Sequence, residues 1–143
     1  MSWLPKTSVV VPVDFSDQSV QALETAVDLV ERPSQIHVVH VLLPASHVAD
    51  APLDWRSADE ATRKHHATMR LRERLADERY RHVSITVEVG DPGHKIAEFA
   101  ESRGAELIVM PCHGRTGIKR LLIGSVAERV VRLAHCPVLV LRS

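Results

Sequence analysis

Short apolar runs alternate with segments of helical spacing along almost the whole of this 143-residue chain. The runs lie at 9–13, 36–43, 83–89, 107–110 and 137–141. Most of them are apolar at nearly every position, which is typical of strands buried on both faces. The third alternates apolar and polar residues, which is typical of an edge strand. Strands that alternate with helices form parallel sheets with right-handed crossovers. We therefore predict one α/β domain with a doubly wound five-stranded parallel sheet, strand order 3-2-1-4-5, and helices on both faces (Rossmann-like).

Capping patterns and apolar spacing predict where the helices begin and end. A capping-box pattern at 57–60 predicts a helix that runs to about residue 79. Its basic residues are expected to form a solvated face with ion pairs such as Arg74–Glu78. The last helix is predicted to begin at Gly124-Ser125. It is expected to bury four apolar side chains: Val126, Val130, Val131 and Leu133.

The tripeptide Gly90-Asp91-Pro92 predicts the corner that leads from the third strand into the next helix. Glycine permits the turn, aspartate caps helices well, and proline suits the first helical position. The helix that follows is predicted to end at Gly104.

The charge balance excludes several classes of partner. Lys plus Arg and Asp plus Glu each number 18, so the formal net charge is zero. This balance argues against general binding to nucleic acid or to anionic membranes. No apolar run approaches the roughly 18 residues that span a bilayer, and the start of the chain shows no signal-peptide pattern. Because two cysteines are too few for a disulfide framework, a cytoplasmic location is expected.

The pairs Cys112-His113 and His135-Cys136 do not predict a zinc site. In a parallel sheet, Cys112 would follow the carboxyl end of one strand and Cys136 would precede the amino end of the next. A five-residue strand is about 16 Å long, whereas zinc–ligand bonds measure about 2.0–2.3 Å. No metal site is therefore expected from protein side chains alone.

The predicted strand order reverses between the first and fourth strands, so a ligand crevice is expected above their carboxyl ends. Asp14 and the loop after the fourth strand follow these ends. A helix that begins at Gly124-Ser125 would offer unbonded amides and a positive dipole end to an anion. Gly114 would let the backbone approach a ligand closely. Together with the positive charge of Arg115, these two glycine positions predict a binding site for a di- or triphosphate.

Simpler explanations of the same residues stay open. Ser125 and Glu128 match a capping box, and Gly114 can serve a turn. Asp14 is about equally well explained as a helix cap or as an ion-pair partner. The loop carries neither the P-loop motif nor the dinucleotide-binding fingerprint.

Six motifs in a fixed order resemble those of the universal stress protein family, over essentially the whole of residues 1–143. They are VPVDFS at 11–16, VVHV at 38–41, GDP at 90–92, VMPCHGRTG at 109–117, GSVAE at 124–128 and CPVLV at 136–140. The resemblance implies a single universal stress protein domain with a five-stranded α/β fold that usually dimerises. It also implies two branches, one that binds ATP and one that does not.

The ATP-binding branch resembles Gly-x2-Gly-x9-Gly-Ser/Thr, which falls here on Gly114, Gly124 and Ser125, with Pro111 at the first glycine position. Proline has a ring and lacks an N–H, so an amide contact at that point is lost. The resemblance implies that ATP, with Mg²⁺, is held by twelve residues. They are Pro12, Val13, Asp14, Val41, Met110, Pro111, His113, Gly114, Arg115, Gly124, Ser125 and Val126.

The same resemblance implies a role for each part of the site. Asp14 is expected to accept from a ribose hydroxyl, and Val41 and Met110 to flank the adenine. The turn at Gly124-Ser125 is expected to hold the phosphates. No catalytic residue is predicted.

The last strand is apolar and lies at an edge of the predicted sheet, where an unpaired strand recruits a partner. A homodimer is therefore predicted through Val138, Leu139, Val140 and Leu141.

The function predicted overall is an ATP-binding module of stress-response signalling. The alternatives are a dimeric interaction protein of the same family that binds no nucleotide, a slow ATPase that uses His113, Arg115 and Ser125, and a binder of another adenylate such as a cyclic nucleotide.

Overall fold

Five parallel strands form one sheet in the computed structural model, which describes residues 2–44, 59–113 and 123–142. The strands are β1 (Val9–Pro12), β2 (Ile36–Leu42), β3 (Ser84–Val89), β4 (Leu107–Pro111) and β5 (Val138–Leu141). Their order across the sheet is β3-β2-β1-β4-β5. The predicted fold class and strand order are confirmed.

Within the described residues, four α-helices connect the strands: α1 (Asp17–Val27), α2 (Glu60–Arg74), α3 (Pro92–Ser102) and α4 (Ser125–Leu133). Each of the first three is preceded by an N-cap residue whose side chain accepts a hydrogen bond from an amide of the first turn. These residues are Ser16, Asp59 and Asp91. The N-cap of α4 is Gly124, which has no side chain to supply such a bond.

The sheet separates two apolar layers, and alternate residues of each strand enter opposite layers. Val9 and Val11 of β1 pack in the layer formed by α1 and α2. Val10 packs with Met110 in the layer formed by α3 and α4. Because the inner strands are covered on both faces, their sequences are apolar almost throughout.

α2 is shorter than the sequence predicts. It is capped by Asp59 and ends at Arg74, and a separate 3-10 turn follows at Glu78–Tyr80. Asp77 starts that turn by accepting from the Arg79 amide, so the side chain competes with continuation of the helix. The predicted ion pair between Arg74 and Glu78 is also wrong, because Arg74 contacts Asp17 of α1 at 2.6 Å.

α4 buries fewer apolar side chains than predicted. Ala127 and Val130 are buried against the sheet. Val126, Val131 and Leu133 are 37%, 49% and 39% exposed. Helical spacing predicts which side chains of α4 share one face of the helix. The sheet covers only the middle of that face, because α4 is short and lies at the edge of the sheet. The exposed side chains therefore leave an apolar surface beside β5.

Candidate functional site

The ladder between β1 and β4 ends before the two strands reach their carboxyl ends. Their ladder joins Val9 to Leu107 and Val10 to Ile108 and goes no further, although the structure describes both strands throughout. Elsewhere β1 stays paired with β2 up to Pro12. A crevice at the point where the strand order reverses is the usual ligand position in such sheets. The residues around this opening therefore form the candidate site.

The turn after β1 holds the Asp14 carboxylate. Its Oδ1 accepts hydrogen bonds from the Ser16 amide at 3.1 Å and from the Ser16 hydroxyl at 2.5 Å. The Asp14 amide donates to Ser19 Oγ at 3.3 Å. The cap of α1 is Ser16 rather than Asp14, because Ser16 Oγ accepts from the Ser19 amide. The sequence-based explanation of Asp14 as a helix cap is therefore wrong.

The start of α4 packs directly against the chain that follows β4. The Gly124 amide donates to the Cys112 carbonyl at 2.8 Å. A Cβ on Gly124 would lie 2.9 Å from that carbonyl oxygen and 3.5 Å from His113 Nδ1. Only glycine fits this approach without a shift of the backbone. The prediction that the Gly124 amide is open to a ligand is wrong, since the protein's own carbonyl occupies it.

The next three amides of α4 remain open within the part of the chain that the structure describes. The Glu128 amide bonds to the Gly124 carbonyl at 2.9 Å, which is the first bond of the helix. The capping-box explanation of Ser125 is therefore wrong. No described acceptor bonds the amides of Ser125, Val126 and Ala127. Unbonded amides at a helix N-terminus attract anions.

Pro111 is the buried last residue of β4. The amides of Ile108 and Cys112 donate to β5, at 3.0 Å to Pro137 and 2.7 Å to Leu141. Backbone groups on a strand point alternately to its two neighbours, so position 111 faces β1. Because the β1–β4 ladder has already ended there, proline costs the sheet no hydrogen bond. It instead removes a donor from the wall of the crevice.

Apolar side chains on the α3–α4 side of the sheet lie beside the opening. Met110 is buried, and Val41 packs against the same cluster. Ala127, from the first turn of α4, belongs to that cluster too. The structure thus brings Val41 and Met110 together with the start of α4. Gly114 and Arg115 lie outside the described residues.

Sequence reasoning did not identify the residues on the other side of the β1 turn. His40 Nδ1 lies 2.6 Å from the Val13 carbonyl. Phe15 packs its ring on His40 and has a positive φ of 68°. Arg70 of α2 lies over the Phe15 ring. In the sequence, His40 appears only as part of the VVHV motif at 38–41, and its role could not be predicted because it depends on the register between β1 and β2.

No group of three or more His, Cys, Asp or Glu side chains gathers as a metal site within residues 2–44, 59–113 and 123–142. In the same ranges, none of the helices has both the length and the apolar character needed to cross a bilayer.

The fold and the crevice define a doubly wound α/β protein with a candidate ligand site at the switch point of its sheet. The model of the universal stress protein family matches residues 7–142, and the chain belongs to this family. Universal stress protein MJ0531 of Methanocaldococcus jannaschii is 34% identical over 137 residues, which cover 94% of this chain and 81% of that relative.

Solved structures agree on the fold. The structure of hypothetical protein MJ0577, from the same organism, has a TM-score of 0.78 at 22% identity and covers 98% of both chains. A universal stress protein in complex with cAMP has a TM-score of 0.65 at 23% identity, covering 96% of this chain and 97% of that one. Identities this low establish similarity of fold alone.

Proposed function

We propose that this protein is a cytoplasmic adenine-nucleotide-binding module of stress-response signalling, built as a single domain. The observation that carries the proposal is the start of α4. Three consecutive amides without a described acceptor begin at Ser125, next to the point where the β1–β4 ladder ends. Membership of the universal stress protein family supports the proposal, and so does the solved structure of a member in complex with cAMP.

The proposed arrangement of the nucleotide follows from the chemistry of the three groups of residues around the crevice. Val41 and Met110 offer apolar contact to the adenine. The Asp14 carboxylate accepts from a ribose hydroxyl while Ser16 holds one of its oxygens. The open amides of α4 bind the phosphates. His113, Pro12 and the backbone of Val13 line the space between these groups, whereas the Val13 side chain packs in the α1–α2 layer.

Mg²⁺ fits this site as a companion of the phosphates. It prefers oxygen ligands and keeps several waters, so phosphate oxygens and one protein group are sufficient. The Ser125 hydroxyl is the described side chain best placed for that role, because it stands at the first position of α4.

Isothermal titration with ATP and Mg²⁺ tests the proposal. We expect binding to the purified protein and a loss of about tenfold in affinity, or about 1.4 kcal/mol, in Gly124→Ala. Its Cβ would press on the Cys112 carbonyl and shift the start of α4. Gly104→Ala controls for lost stability alone: its φ of 60° disfavours alanine although the space around it is open, and it lies at the far end of α3 from the crevice, so the affinity for ATP should stay unchanged. No heat and no thermal shift at millimolar ATP would contradict nucleotide binding.

The family branch that binds no nucleotide is the second candidate, and Pro111 favours it. The proline removes a backbone donor on the side that faces β1, where a ligand would lie. ATP that survives purification and is released on denaturation, detected by mass spectrometry, would exclude this candidate. Displacement of bound ATP by cAMP would show that the pocket also accepts cyclic adenylates.

We also propose that the protein forms a homodimer through β5. This strand pairs with β4 on one side and is the end of the described sheet on the other. Val138, Leu139, Val140 and Leu141 are all half-buried within one chain. Exposed apolar edges of this kind recruit a second strand, and pairing about a two-fold axis closes the assembly.

A further inference from the structure

The His40 side chain extends the contact between β2 and β1 by one residue beyond the backbone ladder. The backbone ladder between the two strands ends at the pair Pro12–Val39. Beyond it, the Val13 amide donates to the Val39 carbonyl at 2.9 Å. The Val13 carbonyl lies 2.6 Å from His40 Nδ1. A carbonyl oxygen only accepts, so Nδ1 carries the hydrogen. Both backbone polar groups of Val13 are therefore fixed to β2, one of them by a side chain.

The residue on the other side of Asp14 is fixed by a stack of three side chains. Phe15 meets the His40 ring edge to face, with the ring centroids 4.8 Å apart. The Arg70 guanidinium lies 4.8 Å from the centre of the Phe15 ring. Aromatic pairs and cation–π contacts of this geometry are favourable. They compensate the unfavourable backbone of Phe15, whose φ is 68°.

Asp14 thus lies between two residues that His40 contacts directly. The His40 side chain shares the α1–α2 side of β2 with Ile36 and Val38, since alternate residues share a face. Val41 and Met110 lie on the opposite side, with α3 and α4. His40 therefore supports the turn from behind the sheet and need not touch a ligand in the crevice.

We propose that His40 is a positioning residue for nucleotide recognition: its hydrogen bond to Val13 and its contact with Phe15 set the turn that aims the Asp14 carboxylate at the ribose. This inference rests on the proposed nucleotide-binding function. It assigns ribose recognition to a side chain on the far face of the sheet. The consequence is specific to the ribose, because the groups proposed to hold the base and the phosphates, Val41, Met110 and the start of α4, lie outside this turn.

The test compares ATP with 2′,3′-dideoxy-ATP, which lacks both ribose hydroxyls. Wild-type protein is expected to prefer ATP by about tenfold, the usual size of one charge-assisted hydrogen bond. His40→Phe keeps a ring beside Phe15 and removes the donor to Val13. In this variant the preference should fall to within about twofold of unity, with the affinity for the dideoxy nucleotide unchanged. His40→Asn places an amide N–H near the position of Nδ1 and should restore most of the preference.

A second variant covers the case in which His40→Phe does not fold. Arg70→Gln alters an exposed residue and removes the charge stacked on Phe15. It should lower the preference for ATP by about threefold, in line with a modest cation–π contact. An unchanged preference in every folded variant would overturn the role of His40.

A measurement without nucleotide separates failure of this inference from failure of the proposed function. Hydrogen exchange at the Ser16 amide reports on its bond to Asp14 Oδ1. We expect at least tenfold faster exchange at Ser16 in His40→Phe, with Val10 in β1 unaffected. Wild-type protein that binds neither nucleotide would contradict the proposed function alone. Unaltered exchange at Ser16 would contradict the positioning role, whatever the protein binds.

Discussion

Tyr80 places a hydroxyl in the core where no described group bonds it. The residue is 6% exposed, and its Oη lacks a hydrogen-bond partner within the part of the chain that the structure describes. Burial raises the pKa of the phenol above its ordinary value. The ring is nevertheless well placed, because it packs in the α1–α2 layer and Arg79 lies over it. The aromatic ring therefore stabilises the fold, whereas the hydroxyl opposes it.

Tyr80→Phe is expected to raise the free energy of unfolding by about 1 kcal/mol, because it removes a desolvated hydroxyl and keeps the ring. The advantage over wild type should grow above pH 10, where the unfolded phenol loses its proton and the folded one keeps it. Urea unfolding at pH 7 and pH 10.5 measures both effects. Tyr80→Leu, which loses the ring, should be destabilised. A loss of stability in Tyr80→Phe would show that the hydroxyl has a bonding partner.

At the scale of elements, residue chemistry predicted the β3–α3 corner in detail. Gly90 has a φ of 152°, Asp91 accepts from the His94 amide, and Pro92 is the first residue of α3. Those features are local, so the tripeptide alone was enough to predict them.

The packing of α3 on α4 is different, because it depends on which residues meet across the layer. Gly93 is buried there under the side chain of Arg129.

Gly93→Ala is expected to destabilise the protein by about 1–3 kcal/mol, the usual cost of overpacking. A Cβ at position 93 would lie 2.6 Å from the Cβ and Cγ of Arg129. Because that contact involves the root of the side chain, the helices must move apart.

A double-mutant cycle with Arg129→Ala measures this contact. Arg129→Ala alone loses the ion pair with Asp91, at 3.0 Å, but it also removes the Cγ and Cδ that an alanine at 93 would meet. The double variant should therefore lose less stability than the sum of the single changes. Strict additivity would show that the Cγ and Cδ of Arg129 contribute nothing to the clash and that the Cβ, which Arg129→Ala keeps, sets its cost.

The limits of sequence reasoning lie where a feature depends on several elements. Apolar runs predicted the strands, and Asp14 was found because it follows a strand end at the switch point. The end of α2 at Arg74 was not predicted, since the Asp77 cap that competes with the helix gives only a weak pattern. The exposure of Val131 depends on which sector of α4 the sheet covers. The support that His40 gives to Val13 depends on strand register.

For the whole molecule, the orientation of the β5 backbone decides how a second copy could pair. The Pro137 and Leu141 carbonyls accept from β4. Because backbone groups alternate along a strand, the amides of Val138 and Val140 point away from β4. Within the described residues, no strand lies on that side of β5. A change at Val140 can therefore block pairing between chains and leave the sheet of each chain intact.

Val140→Pro is expected to convert a dimer into a folded monomer. Proline is tolerated on an edge strand when the missing N–H faces outward, and it removes a donor that a partner strand would need. Light scattering after size exclusion should give twice 15.9 kDa for wild type and 15.9 kDa for this variant. Val140→Thr keeps the amide and a β-branched side chain, so it should remain dimeric. If Val140→Pro stays dimeric while circular dichroism shows an intact fold, β5 pairing is not the interface, and the exposed Val131 and Leu133 of α4 become the surface to test.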